Sequence, residues 1–260
     1  MYAFEFERPT TLDEAVAALA NDDAQAFAGG QTLIPTLRQR LAMPGKLVSL
    51  GAIDALKGMS ASGGVLTVGA ATTHAEVAKQ TDYPGLAGLA GGIGDPHVRN
   101  RGTIGGSIAN NDPSACYPAG VLGSGATVVT NRREIAADDF FTGLFETALD
   151  EGEIVTAVRF PIPERAAYAK FDQPASRFAL VGVFVAKGKH GVRVAVTGAS
   201  EGGVFRWSEA EAALDKDFSA GALDGLAASP EGMIGDIHGG PDYRAHLIGV
   251  MTRRAVAAAA

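Results

Sequence analysis

Phe4 and Phe6 alternate with Glu5 and Glu7, the two-residue rhythm of a strand with one buried face, and Pro9 stops it. Thr11 and Glu14 have the spacing of a capping box, and Leu12, Ala15, Val16 and Leu19 follow with helical period. Residues 25–27 then read as a second strand, 33–41 as a second helix and 46–50 as a third strand. The start of the chain thus predicts a β-α-β-α-β unit, with Ala28-Gly29-Gly30-Gln31-Thr32 as the turn that leaves the second strand.

Gly63-Gly64 opens a change of character. Strands are predicted at 65–69, 126–130 and 154–160, the last closed by Pro161 and Pro163. Thr73 with Glu76 repeats the capping-box spacing, residues 86–93 read as a buried helix and 118–122 as another. From about Tyr168, strands at 180–187 and 192–198 alternate with helices at 208–214 and 242–259, the pattern of an α+β body. The expected division is 1–57, 58–166 and 167–260, with no internal repeat.

Composition narrows the function classes. The 260 residues are 47% hydrophobic, enough for a substantial core. With 22 basic against 29 acidic residues the net charge is −7, which argues against a nucleic-acid partner. The single cysteine, Cys116, excludes an internal disulfide and cannot by itself hold an iron–sulfur cluster. No apolar run of about 18 residues predicts a membrane span. The start Met1-Tyr2-Ala3-Phe4-Glu5 lacks the basic and apolar stretches of a secretory signal, so a cytoplasmic setting is expected. The five histidines, His74, His97, His190, His238 and His246, show no metal-ligand spacing and are read as structural or solvated.

Two glycine-rich segments carry the chemistry. In Ala28-Gly29-Gly30-Gln31-Thr32-Leu33, adjacent glycines let a ligand approach the backbone without a Cβ in the way. Successive N–H groups of such a turn can converge on an anion, and the following helix adds its positive end. A pyrophosphate suits this arrangement; a ligand-free strand–helix turn is the alternative. Arg101-Gly102-Thr103-Ile104-Gly105-Gly106-Ser107 reads as a second such turn, its glycine pair flanked by hydroxyl residues able to donate to phosphate and followed by Asn110-Asn111-Asp112; a glycine-rich buried crossing between lobes is the alternative. Neither a G-x-G-x-x-G fingerprint after a strand nor a P-loop is present, so a phosphate-bearing ligand would be held by another route.

These two segments resemble the signature segments of the FAD-binding medium subunits of molybdenum hydroxylases, the carbon monoxide dehydrogenase and xanthine dehydrogenase type. The similarity continues through Asp95-Pro96-His97-Val98-Arg99, Asp112-Pro113-Ser114-Ala115-Cys116-Tyr117-Pro118, Gly152-Glu153-Ile154-Val155 and Asp242-Tyr243-Arg244-Ala245-His246-Leu247, in order along the chain. The resemblance implies an α+β architecture: a vanillyl-alcohol-oxidase-type (PCMH) FAD-binding fold of two lobes plus a C-terminal α+β domain. It places Ala28, Gly29, Gly30, Gln31, Thr32 and Leu33 on the FAD pyrophosphate through backbone amides. Thr103, Gly105, Gly106 and Ser107 would complete the phosphate and flavin contacts. Asn110, Asn111, Asp112 and the backbone near Ile154 and Val155 are further candidates, and no general base is assigned.

The same resemblance implies partners: a small subunit with two [2Fe–2S] clusters and a large molybdenum-cofactor subunit, in a dimer of heterotrimers, with electrons leaving FAD for an external acceptor. A stand-alone FAD-dependent reductase or oxidase, or a non-redox nucleotide-binding regulator, are the alternatives. Two positions depart from the pattern. Cys116 stands where relatives commonly carry an aspartate for an FAD ribose hydroxyl, and Asp172, with Lys170 nearby, replaces a basic residue near the flavin.

Overall fold

The computed structural model describes residues 1–21 and 23–259. The chain opens with β1 (Glu5–Glu7), α1 (Leu12–Leu19), β2 (Ala24–Phe27), α2 (Leu33–Arg38) and β3 (Lys46–Ser49). The three strands form a parallel sheet in the order β1-β3-β2, which requires the helices as crossovers. The capping box of α1 is present in both directions: the Glu14 N–H donates to Thr11 Oγ1 and the Glu14 carboxylate accepts from the Thr11 N–H. α2 ends three residues earlier than its apolar spacing predicts. Arg40 turns left-handed at φ 62°, and the N–H groups of Arg40 and Leu41 return to the carbonyls of Leu37 and Thr36. That Schellman closure terminates the helix and leaves Leu41 exposed.

The middle of the chain comprises β4 (Met59–Ser62), β5 (Val65–Gly69), α3 (His74–Val77), α4 (Pro84–Gly91), α5 (Pro96–Arg99), α6 (Ile104–Asn110) and α7 (Tyr117–Gly123). It continues through β6 (Thr127–Thr130), β7 (Glu134–Ala136), α8 (Ala137–Phe140), β8 (Phe141–Gly143), β9 (Glu146–Thr147) and β10 (Val155–Pro161). The main sheet runs β4-β5-β10-β6-β7 with antiparallel neighbours, so the last strand in sequence is central in space. Leu66, Val68, Val128, Val158 and Phe160 pack there against Leu86, Leu89, Ile104 and Ile108 of the helices.

One expectation needs correcting. The segment Thr103–Ser107 is not a free turn but the start of α6, with Thr103 as N-cap and its Oγ1 accepting from the Gly106 N–H at 3.2 Å. Two glycines in a first helical turn cost about 1 kcal/mol each relative to alanine, which is why periodicity hides the helix. Close packing imposes one of them: a Cβ on Gly105 would lie 2.5 Å from the Ala70 Cβ and 2.8 Å from its carbonyl oxygen.

The remainder holds β11 (Arg165–Asp172), β12 (Ala179–Gly188), β13 (Gly191–Thr197), β14 (Phe205–Arg206), α9 (Ser208–Lys216) and α10 (Pro241–Ala258). Its sheet is antiparallel in chain order. β12 is buried on both faces, which explains its nearly unbroken apolar run. Val181, Val183 and Val185 meet Ile248, Met251 and Ala255 of α10, while Phe184 and Ala186 join the core of the middle sheet. Alternation along one strand thus joins two cores. The hairpin loop between β11 and β12 carries Ser176, Arg177 and Phe178 to the rim of the site described next. Among the described residues no helix is long and apolar enough to cross a membrane, and no cluster of His, Cys, Asp or Glu could hold a metal.

Candidate functional site

The first glycine loop leaves β2 and enters α2 with its backbone donors unused. The N–H groups of Gly29, Gly30, Gln31, Thr32 and Leu33 meet no acceptor among the described residues, and the first bond of the turn is from the Ile34 N–H to the Gly30 carbonyl, 3.0 Å. Gly30 is left-handed at φ 70°. At Gly29 the constraint is contact: a Cβ would collide with the Arg101 carbonyl and lie 2.7 Å from the Gly102 Cα. The loop therefore rests directly on the backbone of the second glycine segment. Five successive unpaired donors beside a helix start suit an anion.

The second segment contributes differently from what the two glycine pairs suggest. Four of its N–H groups are already engaged: Ile104 donates to the Thr72 carbonyl (3.2 Å), Gly105 to the Ala70 carbonyl (2.9 Å), Gly106 to Thr103 Oγ1 (3.2 Å) and Ser107 to the Thr103 carbonyl (3.0 Å). What remains for a ligand are the Thr103 N–H and side chains. The Ser107 hydroxyl and the Asn110 amide hydrogen-bond to nothing among the described residues.

Both segments wall one cavity of about 610 Å³, within the roughly 300–1,000 Å³ typical of small-molecule and cofactor sites. Ala28, Gly29, Gly30, Gln31, Thr32 and Leu33 line it, as do Thr103, Gly105, Gly106, Ser107, Asn110, Asp112 and Ile154. Asn111 does not. Left-handed at φ 42° and 2% exposed, it spends its side-chain amide on the carbonyls of Gly143 (2.9 Å) and Glu146 (2.8 Å), pinning the β8–β9 hairpin. Ile154 reaches the cavity, but its backbone is committed to Asn131, whose Oδ1 accepts from the Ile154 N–H and whose N–H donates to the Ile154 carbonyl. It offers apolar surface only.

Several ionisable groups stand around this space. Burial raises the Asp112 carboxyl above its usual range, offset in part by the bond its Oδ1 accepts from the Ser114 N–H at 2.8 Å. Burial likewise pushes up the Cys116 thiol, against the pull of Lys170, whose Nζ lies 3.7 Å from Sγ. Lys170 also donates to the carbonyls of Gly92 (2.8 Å) and Arg177 (2.6 Å) and pairs with Asp172 at 2.9 Å. The two departures noted in the sequence are therefore one cluster. Arg99 does not reach the cavity; its Nη1 donates to the Ile93 and Gly94 carbonyls.

Glu153, on the cavity wall, is held at a pKa of about 2. The main cause is the Arg133 guanidinium, with burial opposing and bonds from the Asp150 N–H and the Thr130 hydroxyl (2.6 Å) adding to the effect. A depressed carboxylate contributes stability above its unfolded pKa, lost as pH falls from about 4.5 through about 2. The wild type should therefore melt above Glu153→Gln at about pH 6, with the gap narrowing towards about pH 2.5. A pH-independent gap contradicts the assignment.

Sequence reasoning singles out none of three further residues on the cavity wall. His74, read from the sequence as structural or solvated, is 5% exposed and lines the cavity, with a pKa lowered to about 4 by burial and by the charge of Arg99. Its place right after the Thr73 cap was the available signal. Phe145 and Phe178 also line the cavity, though they are distant in sequence from either motif and only tertiary structure brings them there.

Comparison with known proteins shows the family. Residues 2–163 match the family of FAD binding domains in molybdopterin dehydrogenases. The carbon monoxide dehydrogenase medium chain of Hydrogenophaga pseudoflava is 32% identical, covering 98% of this chain and 96% of that relative. The nicotine 6-hydroxylase medium subunit of Paenarthrobacter nicotinovorans is 33% identical, with the same coverage. Among solved structures, a reconstituted CO dehydrogenase from Oligotropha carboxidovorans superposes with a TM-score of 0.91 at 31% identity, covering 99% of this chain and 98% of that one. With its α+β fold and these matches over nearly its whole length, this chain belongs to the FAD-binding family of the molybdopterin dehydrogenases, a family of oxidoreductase flavoproteins.

Proposed function

We propose that the chain is the electron-transferring medium subunit of a molybdenum hydroxylase complex, receiving electrons from [2Fe–2S] clusters of a small partner and delivering them to an external acceptor. The observation that carries the reading is the row of five unpaired amides, Gly29 to Leu33, opening on the cavity that both glycine segments share. FAD, when bound, supplies a centre stable after one electron or two, which joins one-electron donors to a two-electron acceptor. The chain's own residues hold and orient it. The amides of residues 29–33 take the pyrophosphate, and Ser107 and Asn110 add hydrogen bonds from α6. Asp112 accepts from a ribose hydroxyl, in the role the Cys116 thiol is too weak an acceptor to fill. Leu33, Ile154 and Phe178 shield the cofactor from water.

With one cysteine in the chain, the clusters must come from another subunit. A large molybdenum-cofactor subunit would oxidise the substrate, the whole assembling as a cytoplasmic dimer of heterotrimers. The three-, five- and four-stranded sheets would mark domains 1–57, 58–166 and 167–260. Purification of the tagged chain from its native host tests this. Visible flavin bands together with co-purifying iron- and molybdenum-containing chains are expected. A flavin-containing chain without those partners means a stand-alone reductase or oxidase. A colourless chain that FAD does not reconstitute favours a regulatory nucleotide-binding protein.

A further inference from the structure

We propose that His74 is a cofactor contact outside both glycine motifs, donating from Nε2 to the phosphate-bearing stretch of the dinucleotide. This rests on the FAD reading above and adds a residue to it. Three features of the ring place it. His74 lines the cavity although it is 5% exposed. Its Nδ1 is sealed in the interior without a partner, while Nε2 is neither sealed nor bonded among the described residues. The open edge of the imidazole is thus the Nε2 edge. A Cβ on Gly102 would lie 2.5 Å from that nitrogen, and Gly102 on its other side touches Gly29. The ring therefore reaches the cavity beside the crossing that carries the free amides.

The surroundings fix both position and charge. The main-chain N–H of His74 donates to the Gly102 carbonyl at 3.0 Å, and the Tyr117 ring backs the imidazole with centroids 5.2 Å apart. Burial and the nearby Arg99 guanidinium lower the His74 pKa to about 4, so near neutrality the ring carries one proton. With that proton on Nε2 the imidazole donates into the cavity, and the sealed interior faces only a bare nitrogen, never a stranded N–H. The opposite tautomer would bury an unpaired donor, which costs more than leaving an acceptor unmet. A phosphate oxygen is the partner this donor suits.

FAD titration of the apoprotein of the full chain, in wild type, His74→Leu and His74→Gln, tests the contact. His74→Leu should weaken FAD roughly 10- to 100-fold, the loss of one hydrogen bond to a charged oxygen. His74→Gln, whose amide keeps a donor, should stay within about threefold of wild type. A packing role alone would weaken both variants equally, and that result overturns the proposal, as does unaltered binding by His74→Leu. Should His74→Leu fail to fold, nitrogen NMR of histidine-labelled wild type decides. FAD or ADP should shift the His74 Nε2 resonance and hold its proton there; unchanged ring nitrogens on saturation overturn the contact while leaving FAD binding intact. A wild-type chain that binds no FAD removes the cofactor reading and this contact with it.

Discussion

Gly29→Ala is expected to strip FAD from the protein while the fold survives. Gly29 is not in the left-handed region, so alanine is conformationally admissible; what it lacks is room. Its Cβ would collide with the Arg101 carbonyl and approach the Gly102 Cα to 2.7 Å, both backbone atoms that no rotamer change can move. The loop must lift off the second segment, which its partly exposed position permits, and its row of amides then loses alignment. Misplacing two hydrogen bonds to charged oxygen, at about 1.5–3 kcal/mol each, amounts to roughly 10²- to 10⁴-fold in affinity. Gly106→Ala is the matched control. A Cβ there lies 3.0 Å from Thr103 Oγ1 and 3.5 Å from the Ala28 Cβ, both side-chain atoms, so a far smaller loss is expected. Isothermal titration with FAD, alongside melting curves of the apoproteins, measures both. Equal affinities for the two variants would mean that the contact at Gly29 does not set the loop.

The second large effect concerns stability. Arg244 of α10 is buried to 3% side-chain exposure, and its Nη1 donates to the Leu180 (2.9 Å) and Gly198 (2.6 Å) carbonyls while Nη2 pairs with Asp236 at 2.7 Å. Leu180 lies near the start of β12, opposite the register irregularity between Phe171 and Asp172 of β11, and Gly198 lies just past the end of β13. Arg244→Met keeps most of the volume but removes the donor to both carbonyls, while the half-exposed Asp236 loses only its ion pair and keeps the bonds from the His238 and Gly239 N–H groups. Leaving two buried acceptors without that donor costs about 2–6 kcal/mol. For a chain of this size that corresponds to a fall in Tm of about 4–24 °C. Arg244→Lys should recover little, because a single ammonium cannot span the fork of acceptors. The loss matters for the site because the sheet that α10 covers carries Ser176, Arg177 and Phe178 to the cavity rim. A fall in Tm below about 2 °C would refute this account of Arg244.

How much of this was legible in the sequence differs between elements for physical reasons. The parallel β-α-β-α-β start was readable because α1 announces itself by its Thr11–Glu14 capping box and β1 by its alternation. The cavity residues of the first loop were readable because Gly29-Gly30 signals backbone exposure directly. α6 was hidden, since Gly105 and Gly106 are poor helix formers that serve a tight crossing over Ala70, a demand made by residues far away in sequence. The same gap misassigned Asn111, which looks polar and available but terminates α6 and holds the β8–β9 hairpin, an element with no clear pattern of its own. The central place of β10 and the arrival of His74, Phe145 and Phe178 at one cavity are products of sheet order, which no local pattern encodes.

A crystal structure of the chain grown with saturating FAD is the direct test of the central claim. The account predicts pyrophosphate oxygens within hydrogen-bonding distance, about 2.7–3.2 Å, of at least three of the N–H groups of Gly29, Gly30, Gln31, Thr32 and Leu33. A dinucleotide whose phosphates lie against α6 or outside the cavity, with those five amides facing only solvent, would contradict it.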